Sequence, residues 1–383
     1  MSPAMHRRQL QAGLLNALGD TPAVCLAGAS RTGKSTLVLA LQADLPAAAY
    51  RTFADPATLA DATRNPADFL AGLPPLAFLD DVERVPALLP LLKTAVAGGR
   101  RFLLTTPRVL PGLAESLSWS LETFTLWPLA QAEREGVFPG LIDACFQGDP
   151  TRLQLEPLAR QDLLGRVLAG GFPEVMGLTP SQRETWFHGY LAALVQGWLR
   201  HLTDLREVHH LTKLLAFPDA DRKLAERCID LLEDLHVMAP LASGAGARSR
   251  WFVDPALQAH ILGMAPAALE TRPVLAAPLL ETFAVMELVK SAPWSGSRPT
   301  LSRFRAGTQE LVVMENHRRQ VVAFTVSAAA TVQAEAFQGL QALRDRVGER
   351  LRMGVVLHAG GETRAAGPGL WSLPFQALWA PRG

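Results

Sequence analysis

Residues 28 to 36 read Gly28-Ala29-Ser30-Arg31-Thr32-Gly33-Lys34-Ser35-Thr36, a complete phosphate-binding loop. Such a loop binds a nucleoside triphosphate, here taken as ATP, through Gly28, Arg31, Thr32, Gly33, Lys34, Ser35 and Thr36. The glycines let backbone N–H groups curl around the β-phosphate, and the helix that follows adds the positive end of its dipole. Lys34 then neutralises the β and γ oxygens, and Ser35 ligates Mg2+. Only five of the 37 basic residues are lysines, and the loop keeps one of them. A second constellation is Leu79-Asp80-Asp81, an apolar run that delivers two carboxylates at its end. Asp80 is the magnesium-side carboxylate, acting through water, and Asp81 stands where a general base orients the attacking water. A merely solvated strand end would look the same. Thr105 and Thr106 close a further run, and Thr106 is the candidate sensor of the γ-phosphate.

These side chains need a frame. The apolar run Ala23 to Ala27 leads into the loop, and four more follow at 50–54, 76–79, 102–106 and 123–127. Alternating with helical segments, they predict a mainly parallel α/β sheet covered on both faces, with its ligands at the carboxyl ends of the strands.

At 383 residues the chain is long enough for two or three cores. Its 37 basic and 36 acidic residues leave a formal charge of +1, so no global field draws it to nucleic acid or membrane. A nucleic-acid contact would have to be a local patch. Cys25, Cys145 and Cys228 lie far apart in apolar patterns without metal spacing and read as reduced core thiols. The basic start Met5-His6-Arg7-Arg8 runs into an amphipathic helix pattern instead of a signal-peptide core, and no uninterrupted apolar span of about 18 residues occurs. The expectation is a soluble, cytoplasmic protein.

The loop, the segment Leu79-Asp80-Asp81-Val82-Glu83-Arg84-Val85-Pro86 and Gly170-Gly171-Phe172-Pro173-Glu174 occur in an order that resembles the AAA-type ATPases carrying a C-terminal domain of unknown function 4143. Trp186 to Tyr190, Val253-Asp254-Pro255-Ala256-Leu257, Pro278-Leu279-Leu280-Glu281-Thr282-Phe283 and Trp371-Ser372-Leu373-Pro374 extend the resemblance over nearly the whole chain. It implies an ATPase domain at 1–150, a helical and reduced winged-helix-like region at 151–264, and a restriction-endonuclease-like α/β domain at 265–383.

This chain departs from that family at the reacting centres. The family has Asp-Glu where Asp80-Asp81 stands, so the base is one methylene short, a shift that can cost about a hundredfold in rate. The arginine that follows a Ser-Leu pair in the family is absent after Ser116-Leu117, where Ser118, Trp119 and Ser120 follow; if it acts as a finger, its loss costs on the order of 10³ in turnover. Arg108 and Arg183 are nearby substitutes in sequence, each equally readable as a surface arginine. In the C-terminal domain Glu281 matches the helix glutamate of a nuclease, but Val312 replaces the strand aspartate, and Thr325 and Ser327 replace Glu-x-Lys. No metal site for phosphodiester cleavage can be assembled from these. In the middle region Leu224 to Leu235 is helical, and residues 243–250 resemble a wing in which Arg248 and Arg250 either touch phosphates or decorate a solvated hairpin. Phe217-Pro218-Asp219-Ala220 leads into it with the recognition helices shortened, and His201, His209 and His210 read as surface histidines.

The combined expectation is an ATP- and magnesium-binding module with weak or no hydrolysis and an inactive nuclease-like domain, used for nucleotide-gated contacts with a protein partner. The alternatives are an active ATPase with its arginine supplied from elsewhere, and an ATP-coupled nuclease.

Overall fold

A computed structural model of the chain describes residues 6–110, 112–117, 120–197, 211, 213–215, 221–243, 249–264, 269 and 273–383. Their contacts form two compact units, the first Arg7–Pro128 with Asp234–His236, the second chiefly Leu129–Glu233 and Val237–Gly383. The division falls ahead of the boundary at residue 150 that the sequence suggests.

In the first unit β1 (Ala23–Ala27), β2 (Ala49–Thr52), β3 (Leu76–Asp80), β4 (Arg101–Thr106) and β5 (Leu121–Thr125) pair in parallel in the order β2-β3-β4-β1-β5. The helices are α1 (Leu10–Asp20), α2 (Lys34–Asp44), α3 (Pro56–Arg64), α4 (Pro66–Ala71), α5 (Leu89–Ala97) and α6 (Leu113–Leu117). All of β1 is buried, as a strand with neighbours on both edges and helices on both faces must be. The side-chain period of two then sorts the core into two layers. Val24, Leu26, Phe78 and Leu103 pack against Leu14 and Leu18 of α1 and Leu37 and Leu41 of α2. Ala23, Cys25, Ala77, Leu79, Phe102 and Leu104 face the other way, against Leu70, Leu92, Leu113 and Leu117 of α4, α5 and α6. Leu10, Leu14, Ala17 and Leu18 form the buried stripe of α1 at helical spacing. Asp55 caps α3 by accepting from Thr58 N at 2.9 Å, with Pro56 in the first turn, where its missing N–H is not needed.

The second unit holds α7 (Gln131–Glu135), α8 (Leu141–Gln147), α9 (Arg160–Ala169), α10 (Pro180–Gly197), α11 (Arg222–Asp234), β6 (Met238–Ser243), β7 (Ser249–Phe252), α12 (Pro255–Ile261) and α13 (Pro273–Ser291). There follow β8 (Thr300–Ala306), β9 (Gln309–Glu315), β10 (Val321–Ser327), α14 (Gln338–Val347), β11 (Leu351–His358), β12 (Arg364–Gly367) and β13 (Leu370–Pro374). The strands form one mixed sheet, β12-β13-β11-β10-β9-β8-β6-β7. Within it β9 and β10 pair antiparallel. The hairpin β6–β7 continues the same sheet through β8, and one core runs from Leu141 through Leu241 and Leu280 to Trp379.

The signature segments meet inside this unit. Gly170 has φ +69, and a Cβ there would lie 2.8 Å from Asp254 Oδ1, so only glycine fits. The fully buried Asp254 accepts from Gly171 N at 2.6 Å and caps α12 through Ala256 N and Leu257 N, both at 2.9 Å. Phe172 packs on Trp186 and Tyr190, and Trp186 Nε1 donates to Glu174 at 2.9 Å. Beneath them the buried pair Glu287–Lys290 is closed by Gln131 N, which donates to Glu287, and by Leu129 O, which accepts from Lys290.

His201, His209, His210, residues 217–220, Arg248, Ser118 and Trp119 lie outside the described residues. Among the described residues no helix is long and apolar enough to cross a membrane. The three cysteines are buried and unpaired, and burial pushes the Cys25 and Cys228 thiols up to about 12 and Cys145 higher still.

Candidate nucleotide site

Strand order assembles the site. β4 lies between β1, which feeds the loop, and β3, which ends in Asp80. The register sets Leu26 beside Thr105 and Ala27 beside Thr106 on one edge, and Leu79 beside Leu104 on the other. Thr105 and Thr106 therefore stand between the loop and the carboxylate pair.

The loop backbone departs from right-handed conformations at Gly28 (φ +150), Arg31 (φ 66) and Gly33 (φ 93). A side chain at Gly28 would meet Leu126 O at 2.3 Å. These turns aim successive N–H groups inward, and the first N–H groups of α2 have no intrahelical partner. Lys34 folds back on its own loop, Nζ donating to Gly28 O at 2.7 Å and Ala29 O at 3.0 Å. Burial lowers its ammonium to about 8, opposed by Asp81, Glu83 and Asp80. Thr32, fully buried, donates through Oγ1 to Ala29 O at 2.9 Å. Arg31, Ser35 and Thr36 are exposed at the mouth. From the far end of the unit, the buried Arg8 donates to Thr32 O at 2.8 Å and to Trp127 O at 2.7 Å, clamping the loop.

Asp80 shares the face of Phe78, and Thr105 that of Leu103, the face covered by α1 and α2. On the neighbouring strand Tyr50 reaches the same face and donates to Asp80 Oδ2 at 2.7 Å, while Thr105 Oγ1 donates to Oδ1 at 2.5 Å. Asp80 is only 2% exposed and both its oxygens are engaged, each keeping a lone pair for a metal-bound water. Burial, then Asp80, holds the Tyr50 hydroxyl protonated far beyond its ordinary range. Asp81 adopts a left-handed conformation (φ 61, ψ 48), and its N–H donates to Thr105 Oγ1 at 2.9 Å. Burial and Asp80 raise its carboxyl, against Lys34 and Arg84.

That turn swings the next residues back over the strand ends. Glu83, in the single 3₁₀ turn Val82–Arg84, lies within electrostatic reach of Asp81 and Lys34. Burial raises its carboxyl to about 7. Thr106 Oγ1 donates to Arg108 O at 2.9 Å and accepts from Arg108 N at 3.3 Å, so the candidate sensor is held by the residues that follow it. Val109 N donates to Asp234 O at 2.8 Å just beyond. Arg108 thus follows the sensor strand within this unit, whereas Arg183 lies on α10 in the second.

Sequence reasoning missed Arg8, Tyr50 and Glu83. Arg8 stood in a run noted only as basic. Tyr50 is one of two tyrosines in the chain, and its position on a strand next to β3 was the available signal. Glu83 follows the carboxylate pair closely but carried no spacing rule.

In the second unit Glu281, Glu310, Val312 and Thr325 line one cleft with Arg303 and Trp251. Arg303 pairs with Glu310 and donates to Ser249 Oγ, and burial raises the Glu281 carboxyl, aided by Glu310 and opposed by Arg303. Thr325 Oγ1 donates to Glu310 O at 3.3 Å. Among the described residues no cluster of three or more His, Cys, Asp or Glu is arranged to hold a metal ion. Arg250 neither reaches for phosphate nor floats in solvent, because it is paired with Asp230 at 2.5 Å and Glu233 at 2.7 Å.

Residues 20–135 match the family model of an AAA domain, and residues 277–378 that of a domain of unknown function (DUF4143). No curated protein matches the chain. Among solved structures, the Walker-type ATPase PABY2304 of Pyrococcus abyssi is similar over 67% of this chain and 96% of its own, at 13% identity and a TM-score of 0.42. The chain therefore joins an N-terminal AAA-type ATPase domain to a C-terminal domain of unknown function 4143.

Proposed function

We propose that this protein binds ATP with magnesium in the first unit, hydrolyses it slowly, and uses the bound state to gate contacts made with a protein partner by a nuclease-like domain without nuclease activity. The observation that carries the reading is the preformed loop with Lys34 buried at its centre, within electrostatic reach of Asp80 and Asp81. The residues fit the group: Ser35 and Asp80 would hold magnesium, the latter through water, and Lys34 would exchange its loop carbonyls for the β and γ oxygens. Magnesium would supply charge neutralisation of the leaving diphosphate.

Slow turnover is supported by the short Asp81 and by the missing arginine after Ser116-Leu117. An inactive C-terminal cleft is supported by Val312 and Thr325 at the metal-binding positions and by the guanidinium of Arg303, which already neutralises Glu310. The order of α11 and the β6–β7 hairpin fits a reduced winged-helix-like region, but the pairing of Arg250 removes one phosphate contact from it. Three buried thiols fit a reducing, cytoplasmic setting. The test is calorimetry with magnesium-ATP. Wild type should bind, and Lys34→Ala should lose about 10² or more in affinity as the buried phosphate charge goes uncompensated. Equal affinities would refute the reading.

A further inference from the structure

A buried carboxylate oxygen without a hydrogen-bond donor is costly and calls for an explanation. Among the described residues Glu83 Oε2 is such an atom. It is buried and has no hydrogen-bond partner. Its 3₁₀ turn follows Asp81 at the carboxyl end of β3 and packs against β4, the strand between β3 and the loop-bearing β1, which is the end of the sheet where the γ-phosphate of a nucleotide held by Lys34 belongs. Cys25 on β1, Lys34 on α2 and Asp81 are the titratable groups whose fields act on it or feel it. Asp81, by contrast, has its backbone fixed in a left-handed turn with its N–H tied to Thr105, and its side chain is one methylene shorter. The turn at Asp81 is what brings Glu83 back.

We infer that Glu83, and not Asp81 alone, is the catalytic carboxylate that holds and deprotonates the attacking water in ATP hydrolysis at this site. In that step the water oxygen forms a bond to the γ-phosphorus as the bond from that phosphorus to the β,γ-bridging oxygen breaks. The electron pair leaves with ADP, and the water proton passes to Glu83 Oε2 and from there to solvent.

The inference rests on the ATP-binding reading above, and the experiment separates the two. ATP turnover, its pH dependence, and magnesium-ATP affinity by calorimetry are measured for wild type, Glu83→Gln, Glu83→Asp and Asp81→Asn. Glu83→Gln should lower kcat by about 10²-fold or more with affinity changed by less than about threefold, as for loss of a general base. Glu83→Asp should be intermediate, and Asp81→Asn should cost less than Glu83→Gln. The kcat/KM of wild type should rise with pH through about 7, and Glu83→Gln should flatten that limb. A Glu83→Gln enzyme within about tenfold of wild type, an Asp81→Asn loss that exceeds it, or a wild type that binds ATP without turnover overturns the inference and leaves ATP binding standing. Absence of ATP binding overturns both.

Discussion

At the residue scale the site is governed by what burial does to charge. Lys34 carries its ammonium inside the loop, where desolvation holds it near 8, well below the ordinary lysine value. Phosphate oxygens placed against Nζ raise it again, so above that pH binding takes up a proton. The affinity for magnesium-ATP should therefore be flat below pH 8 and fall as pH rises beyond it, by at most about tenfold per pH unit for a single proton. Titration calorimetry between neutral and alkaline pH, in buffers of different ionisation heat, measures both the slope and the proton. Binding that strengthens with pH would mean that Lys34 is not the group facing phosphate. Asp80 shows the complementary tactic: its buried carboxyl oxygens are satisfied because Tyr50 and Thr105 each donate a hydrogen bond to it.

At the element scale, the second unit hangs on a cap. Asp254 satisfies three N–H groups at once, two opening α12 and one from Gly171 in the segment after α9. Asp254→Ala should destabilise this unit by about 2–4 kcal/mol, a lost cap plus a buried unpaired donor, which denaturant unfolding would measure. A change below about 0.5 kcal/mol, as at an ordinary surface site, would show that Gly171 and α12 are held by something else. The strands of the first unit were legible because apolar runs at α/β spacing have few other readings, and the loop was legible because its residue types follow from phosphate geometry. Tyr50 and Arg8 were not, since each acts across a distance in sequence set by strand order β2-β3-β4-β1-β5, and spacing along the chain is silent about which strand lies beside which. The same holds for Glu287 and Lys290, whose partners Gln131 and Leu129 lie far upstream. The continuity of the β6–β7 hairpin with the C-terminal sheet was hidden because a turn-rich wing and a sheet-edge hairpin share one composition.

At the scale of the whole molecule, two cores and a near-zero net charge describe a protein that acts through local surfaces. The C-terminal sheet carries valine, threonine and serine at the positions to which the family resemblance assigns nuclease carboxylates and lysine, residues that suit strands and relieve carboxylate repulsion. Purified protein should leave DNA and RNA uncut with magnesium or manganese, in a gel assay run beside Glu281→Ala. Cleavage that Glu281→Ala abolishes would restore the nuclease alternative. The three thiols bear on how such a molecule can be watched at work. Buried, and with no thiolate at neutral pH, they should ignore maleimides and other thiol-directed reagents in the native state. The native chain is thus a silent background for labelling, and a single cysteine placed at the exposed Phe138 would carry a fluorophore that reports whether occupancy of the loop is felt in the second unit.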